Sequence, residues 1–133
     1  MRGAIVAGLI WLAMPASAQD QEAGIRDTIS RQFEAFGADD FARAFEYASP
    51  QLQQMFRTPE NFRTMVTEGY PMVWHPAEVR YLGLREEDGA LWQRVMVIDA
   101  DGTSHLLDYR MIRDGAGWRI AAVLIVDRGS VGA

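Results

Sequence analysis

The sequence predicts an α+β domain in which N-terminal helices pack on one face of a curved antiparallel sheet of about four strands. Two observations carry this expectation. Apolar residues recur at helical spacing as far as Gly69 and alternate from Ala77 onward, and the alternating runs are joined by turns short enough that neighbours must pair as hairpins. Between the two regimes stands an aperiodic stretch, GYPMVWHP, Gly69 to Pro76, which holds two prolines, a tyrosine, a tryptophan and one of the chain's two histidines.

The elements follow in order. Residues 1–18, MRGAIVAGLIWLAMPASA, read as a secretory signal peptide, with Arg2 before an apolar run from Ala4 to Met14 and Ala16-Ser17-Ala18 as the cleavage signal. Pro15 breaks the run well short of the roughly 20 residues that span a bilayer, and no cysteine follows to carry a lipid. The expected product is soluble, periplasmic or extracellular, free of the membrane after cleavage, and comprises residues 19–133 as one domain. Its 115 residues suffice for a single core without staples. The absence of cysteine excludes thiol nucleophiles, thiolate metal sites and thiol redox chemistry. All 13 basic residues are arginine, and without Arg2 twelve of them face 18 acidic residues, interspersed along the chain. Nucleic-acid binding needs clustered positive charge and is not expected.

Ile25, Ile29, Phe33 and Phe36 lie on one face of a helix from Asp20 to Phe36 that Gly37 ends. Asp39 is placed to cap a second helix with Phe41, Ala44, Phe45 and Ala48 inward. Ser49-Pro50 opens a short third segment carrying Leu52 and Phe56. Thr58-Pro59-Glu60 opens a helix that buries Phe62, Met65 and Val66, and Gly69 is suited to close it in the left-handed conformation. Strands are expected over Ala77 to Arg85, Ala90 to Asp99, Thr103 to Arg113 and Trp118 to Asp127.

In the third strand His105, Leu107, Tyr109 and Met111 share a face, and Asp108 and Arg110 on the other mark the first set as inward. The second and fourth strands look apolar on both faces. Val95 and Val97 oppose Met96 and Ile98; Trp118, Ile120, Ala122 and Leu124 oppose Ala121, Val123 and Ile125. A second apolar face needs cover. A homodimer through an outer sheet face bearing some of Val95, Val97, Val123 and Ile125 is the expectation.

Helices followed by long antiparallel strands that end in GWRI and an apolar run look like the nuclear-transport-factor-2-like superfamily. More specifically, GYP-x-V-x-x-P at Gly69 to Pro76, followed by V-x-Y-L at Val79 to Leu82, resembles domain-of-unknown-function family 4864, over Ile25 to Asp127. The superfamily resemblance implies a cone of helices and curved sheet, a scaffold that hosts dehydratases, isomerases, binding modules and structural domains. The smaller family implies no particular activity.

Tyr70 and His75 each precede proline, which pushes both toward extended backbone, so GYPMVWHP turns the chain from the last helix into the first strand near the mouth of such a cone. Tyr70, Trp74, Tyr81, His105 and Tyr109 would give a pocket apolar walls and a few polar tips, with His75 at its entrance. The plainer reading of each ring is core filling. His105 is the candidate general base, its alternative being a satisfied structural histidine. His75 and His105 stand 30 residues apart with no HxH or HxxxH spacing, so no metal site is expected. No phosphate loop, dinucleotide fingerprint or nucleophile elbow points to a cofactor or acyl chemistry. The expected function is binding of a small apolar ligand or a protein partner, in or at the mouth of the cone. The alternatives are an isomerase or dehydratase with His105 as base and Tyr70 or Tyr109 as oxyanion donor, and a structural domain with a filled cone.

Overall fold

A computed structural model describes Gly3, residues 18–115 and residues 117–126; apart from Gly3 and Ala18, the expected signal peptide lies outside the described residues. Among the described residues five helices precede four strands. In α1, Ala18–Gly37, the inward stripe runs through Ile25, Thr28, Ile29, Gln32 and Phe36, the i, i+3, i+4 pattern of an amphipathic helix. Gly24 lets α1 approach the sheet: a Cβ there would lie 2.9 Å from Cδ1 of Trp118.

The cap of α2, Phe41–Glu46, is Asp40 and not Asp39; the Asp40 carboxylate accepts from the amide of Arg43. Asp39 sits in the turn at φ 56°, a left-handed conformation that aspartate tolerates better than most residues. Ser49 and Thr58 cap α3, Pro50–Phe56, and α4, Pro59–Gly69, each with proline at the start of the helix. Gly69 does not take the left-handed conformation expected of it, and α4 ends on Tyr70 at φ −134°, ψ 48°. Pre-proline sterics hold Tyr70 and His75 out of the helical region, yet the four residues between them wind into a further turn, α5, Pro71–Trp74.

The sheet is antiparallel in the order β1 (Glu78–Glu87), β2 (Ala90–Ile98), β3 (Ser104–Asp114), β4 (Gly117–Ile125). Asp88 and Gly89, both at positive φ, make the two-residue hairpin turn between β1 and β2. Helices on one face of an open four-stranded sheet form an α+β fold consistent with a nuclear-transport-factor-2-like cone.

Two corrections concern which face residues occupy. Val95 and Val97 are fully buried and lie opposite Leu107 and His105, on the helix-covered face, so they cannot form an outer surface. Their neighbour in phase, Gln93, is buried too. Polar at an inward position, it hides the phase of the strand. In β4 a bulge at Ala121 shifts the register, pairing Met111 with Ile120 but Arg110 with Ala122. Trp118 and Ile120 face inward before the bulge and Val123, opposite Tyr109, after it; Ile125, opposite Leu107, lies on the same side of the sheet but is 47 % exposed. In β4 the two apolar faces read from the sequence are largely one face that changes parity, whereas β2 keeps Met96 and Ile98 on the outer face. A second bulge, at Leu82–Gly83 in β1, frees the Leu82 carbonyl from the ladder, and Gln93 Nε2 donates to it at 2.9 Å.

Candidate functional site

The helices do not fill the space over the β4 half of the inner face. A half-open cavity of about 320 Å³ remains between that half and the helices, at the lower end of the range of about 300–1,000 Å³ for small-molecule sites. Gln32 and Phe36 of α1 form its roof, Phe62 and Val66 of α4 a side wall, and Tyr109, Ile120 and Val123 its floor. Leu52, Met55 and Met65 reach it from α3 and α4, and Met55 is 63 % exposed.

Local sequence explains why the walls stay apart. Phe62 is wedged among Phe36, Phe45 and Phe56, with ring centroids 5.9, 5.3 and 5.7 Å away, so the aromatic cluster braces α4 against α1 and α2. The link between α2 and α3 is pinned to β4: Ser49 N–H donates to the Ile120 carbonyl and Ile120 N–H to the Tyr47 carbonyl, both at 2.8 Å. Farther along the same edge, the Tyr70 hydroxyl donates to the Val123 carbonyl at 2.9 Å. The free edge of β4 is thus covered at both points, and GYPMVWHP is tied across the cavity to the sheet.

The polar groups at the lining are few. The Tyr70 hydroxyl is committed to Val123. Gln32 donates through Nε2 to the Ala44 carbonyl at 3.1 Å. Tyr109 is 1 % exposed; burial, with smaller contributions from Tyr81 and Tyr70, pushes its hydroxyl far above the usual tyrosine range, so it stays a neutral donor and acceptor. Among the described residues no arginine, aspartate, glutamate or histidine lines the cavity.

The remaining candidates lie elsewhere. Tyr81 shares a 2.5 Å hydrogen bond with Ser30, tying β1 to α1; burial raises its hydroxyl pKa, partly offset by that bond. His105 is at the start of β3, where Nε2 meets Asp99 Oδ2 at 2.9 Å. Asp99 Oδ1 also accepts from the amides of Asp101 and Thr103, and the His105 bond leads the interactions that lower the Asp99 pKa. This assembly organises the β2–β3 turn. Trp74 donates Nε1–H to Asp39 at 2.6 Å and meets Phe41 edge-on. His75 is exposed and rests against Trp74, its ring centroid 4.8 Å away. Of the six expected residues the structure brings Tyr70 and Tyr109 together at the cavity and distributes the others. Gln32 is absent from the expected set, although its place on the buried stripe of α1 is visible in the helical period.

On the outer face Asp108 is 6 % exposed, covered by two guanidinium groups: Arg85 and Arg94 each donate two hydrogen bonds to it at 2.9–3.1 Å. Burial alone would raise its carboxyl pKa, but the bonds and charges of Arg94 and Arg85 hold it at about 2. Among the described residues no group of histidine, aspartate and glutamate is arranged to hold a metal ion. The cavity has hydrophobic walls and hydrogen-bonding tips without a titratable group near neutrality, an arrangement suited to holding a ligand and poorly suited to moving protons.

No curated protein matches the sequence. The chain is similar to the 1.8 Å structure of Aln2 from a Streptomyces species, with 13 % identity and a TM-score of 0.52 over 88 % of this chain and 97 % of that one, a likeness that speaks to fold alone. The profile of the family described as Domain of unknown function (DUF4864) matches residues 18–133, nearly the whole chain, and the protein belongs to that family.

Proposed function

We propose that the protein is an exported binding domain of the nuclear-transport-factor-2-like superfamily that takes a small apolar ligand into the cavity beneath β4. The observation that carries this reading is the cavity itself: about 320 Å³, half-open, walled by phenylalanine, valine, leucine and methionine, with a few buried polar tips. Export rests on the leader sequence at residues 1–18. Binding is favoured over the isomerase or dehydratase alternative because His105 is engaged with Asp99 at a turn and is not part of the lining. It is favoured over the filled-cone alternative by the free volume.

The test uses an apolar fluorophore, N-phenyl-1-naphthylamine, added to the mature chain. Its emission should rise on binding and fall again when an eight-carbon aliphatic compound displaces it. Val123→Phe, which puts a ring on the cavity floor, and Leu52→Trp, at the rim, should each cut probe binding at least tenfold while the fold persists by circular dichroism. Unchanged binding in both folded variants would contradict the reading.

A second reading concerns the outer face, where Trp92, Met96, Ile98, Leu106 and Leu124 surround the Asp108 cluster and Leu124 is 52 % exposed. Leu124 is exposed and the other four are half-buried, so apolar surface remains uncovered on this face, and we propose that two copies associate through it. Sedimentation equilibrium at tens of micromolar, about where weak association becomes visible, should show a dimer that Leu124→Asp dissociates; a monomer throughout that range refutes it.

A further inference from the structure

We propose that the cavity selects a neutral amphiphile with a single hydroxyl head, an aliphatic or aromatic alcohol, and that Tyr109 and Gln32 read that head. The proposal rests on the ligand-binding reading and narrows it to a chemical class. Both residues line the cavity, and both are more than nine-tenths buried, at 1 % and 5 % exposure. Among the described residues the Tyr109 hydroxyl has no hydrogen-bond partner. Gln32 spends its Nε2 on the Ala44 carbonyl, and among the described residues its Oε1 accepts nothing. Buried polar groups are satisfied as a rule, and each exception requires a reason. The sealed side-chain atom without a partner among the described residues, Gln93 Oε1, lies away from the cavity; the Tyr109 hydroxyl and Gln32 Oε1 keep unused hydrogen-bonding capacity on two residues that line one apolar space.

Their chemistry is complementary to a hydroxyl. Gln32 Oε1 can only accept, so the head must donate a proton to it; the Tyr109 hydroxyl can donate as well as accept, and its proton suits a head with a lone pair to spare. An ether or ketone can meet Tyr109 but leaves Gln32 unpaired, and a hydrocarbon leaves both. A carboxylate would be stripped of water with no cation among the described lining residues to offset the loss. The alcohol alone among these satisfies both residues without carrying charge into the cavity.

The experiment displaces bound N-phenyl-1-naphthylamine from the mature chain at about pH 8, where octanoate is fully ionised, with 1-octanol, octyl methyl ether and octanoate. 1-Octanol should compete at about one tenth the concentration of the ether, the tenfold reflecting one hydrogen bond that the ether cannot make, and octanoate should be weaker still. Tyr109→Phe should weaken competition by 1-octanol at least fivefold, read against whatever probe affinity the variant itself retains. The ligand-free melting temperature offers an independent readout. Deleting an unpartnered buried hydroxyl should leave it unchanged or raise it, whereas a fall of several degrees would show that the hydroxyl already has a partner and would overturn the proposal. Equal competition by all three compounds, with Val123→Phe still blocking the probe, would overturn the choice of head and leave the cavity as a binding site. Failure of every compound and of the probe would remove both.

Discussion

Two neighbours on β3 meet opposite fates. Asp108, on the outer face, accepts four hydrogen bonds from the guanidinium groups of Arg85 and Arg94; Tyr109, one residue on and facing the helices, is almost fully buried with no partner for its hydroxyl among the described residues. The outer cluster is polar and charged, and its carboxylate is fully taken up by the two guanidinium groups. The inner face is apolar, with very few polar atoms; Tyr70 and the Gln32 amide nitrogen are committed to backbone carbonyls, and the Tyr109 hydroxyl and Gln32 Oε1 are left over. Closed polarity serves architecture. Leftover polarity beside an empty volume is the better marker of a site, and on that criterion the charged cluster that first draws attention is the scaffold and the plain cavity is the candidate.

The largest blow to this contrast should come from the inner wall. Phe62→Ala removes the ring that braces α4 against three others, and should cost on the order of 3–5 kcal/mol in urea unfolding through lost transfer energy and the new void. Probe binding should be lost with it. A cost below about 1 kcal/mol would mean that the aromatic cluster does not hold the cavity open.

The outer cluster should matter less, and with a pH signature. Because the Asp108 carboxyl is depressed to about 2 in the folded chain against about 3.9 when unfolded, its contribution is fully present above about pH 4 and is lost as pH falls toward 2. The arginine side chains are 39 % and 35 % exposed, so solvent screening trims the effect to about 1–2 kcal/mol. Urea midpoints measured at about pH 5 and about pH 2.5 should therefore converge between the parent and Asp108→Asn at the lower pH. Probe affinity near neutral pH should be unchanged in that variant, since the cluster lies on the other side of the sheet. A gap that persists at the lower pH would contradict the assignment.

The smallest effects belong to the corner. Trp74→Ala loses a hydrogen bond to Asp39 and an edge contact with Phe41, and should cost about 1–2 kcal/mol. His75→Ala removes an exposed ring and should lie within about 0.5 kcal/mol of zero. Calorimetry that ranked His75 with Trp74 would show a packing role for the histidine that its exposure does not predict.

Periodicity and turn chemistry make most of the fold legible. Helical spacing places α1 through α4, and the Asp-Gly turns place four strands to within about two residues. What resists are positions where local rules give no unique answer. Asp39 and Asp40 are both able to cap α2, and the choice follows from the Trp74 indole claiming the first. Gln93 conceals the phase of β2 because a buried glutamine, held by the bulged Leu82 carbonyl, looks like a surface residue in sequence. The parity change at Ala121 depends on pairing with β3, which no single strand reveals. At the site Tyr70 and Tyr109 are legible by ring type and strand phase. Gln32 is legible in principle from the helical period. The aromatic walls look like core in the sequence, and only the packing of α4 against α1 shows that they border a space.

The central claim, that ligands enter beneath β4 and not on the outer face, is tested most directly by methyl spectroscopy of the methionines. Met55 and Met65 line the cavity, whereas Met96 lies on the outer face opposite Arg80 and Leu106. With methyl-labelled methionine in the mature chain, titration of 1-octanol should shift the Met55 and Met65 resonances along one saturable curve and leave Met96 unmoved. A saturable shift confined to Met96, with Met55 and Met65 stationary, would place the ligand on the wrong side of the sheet and contradict the account.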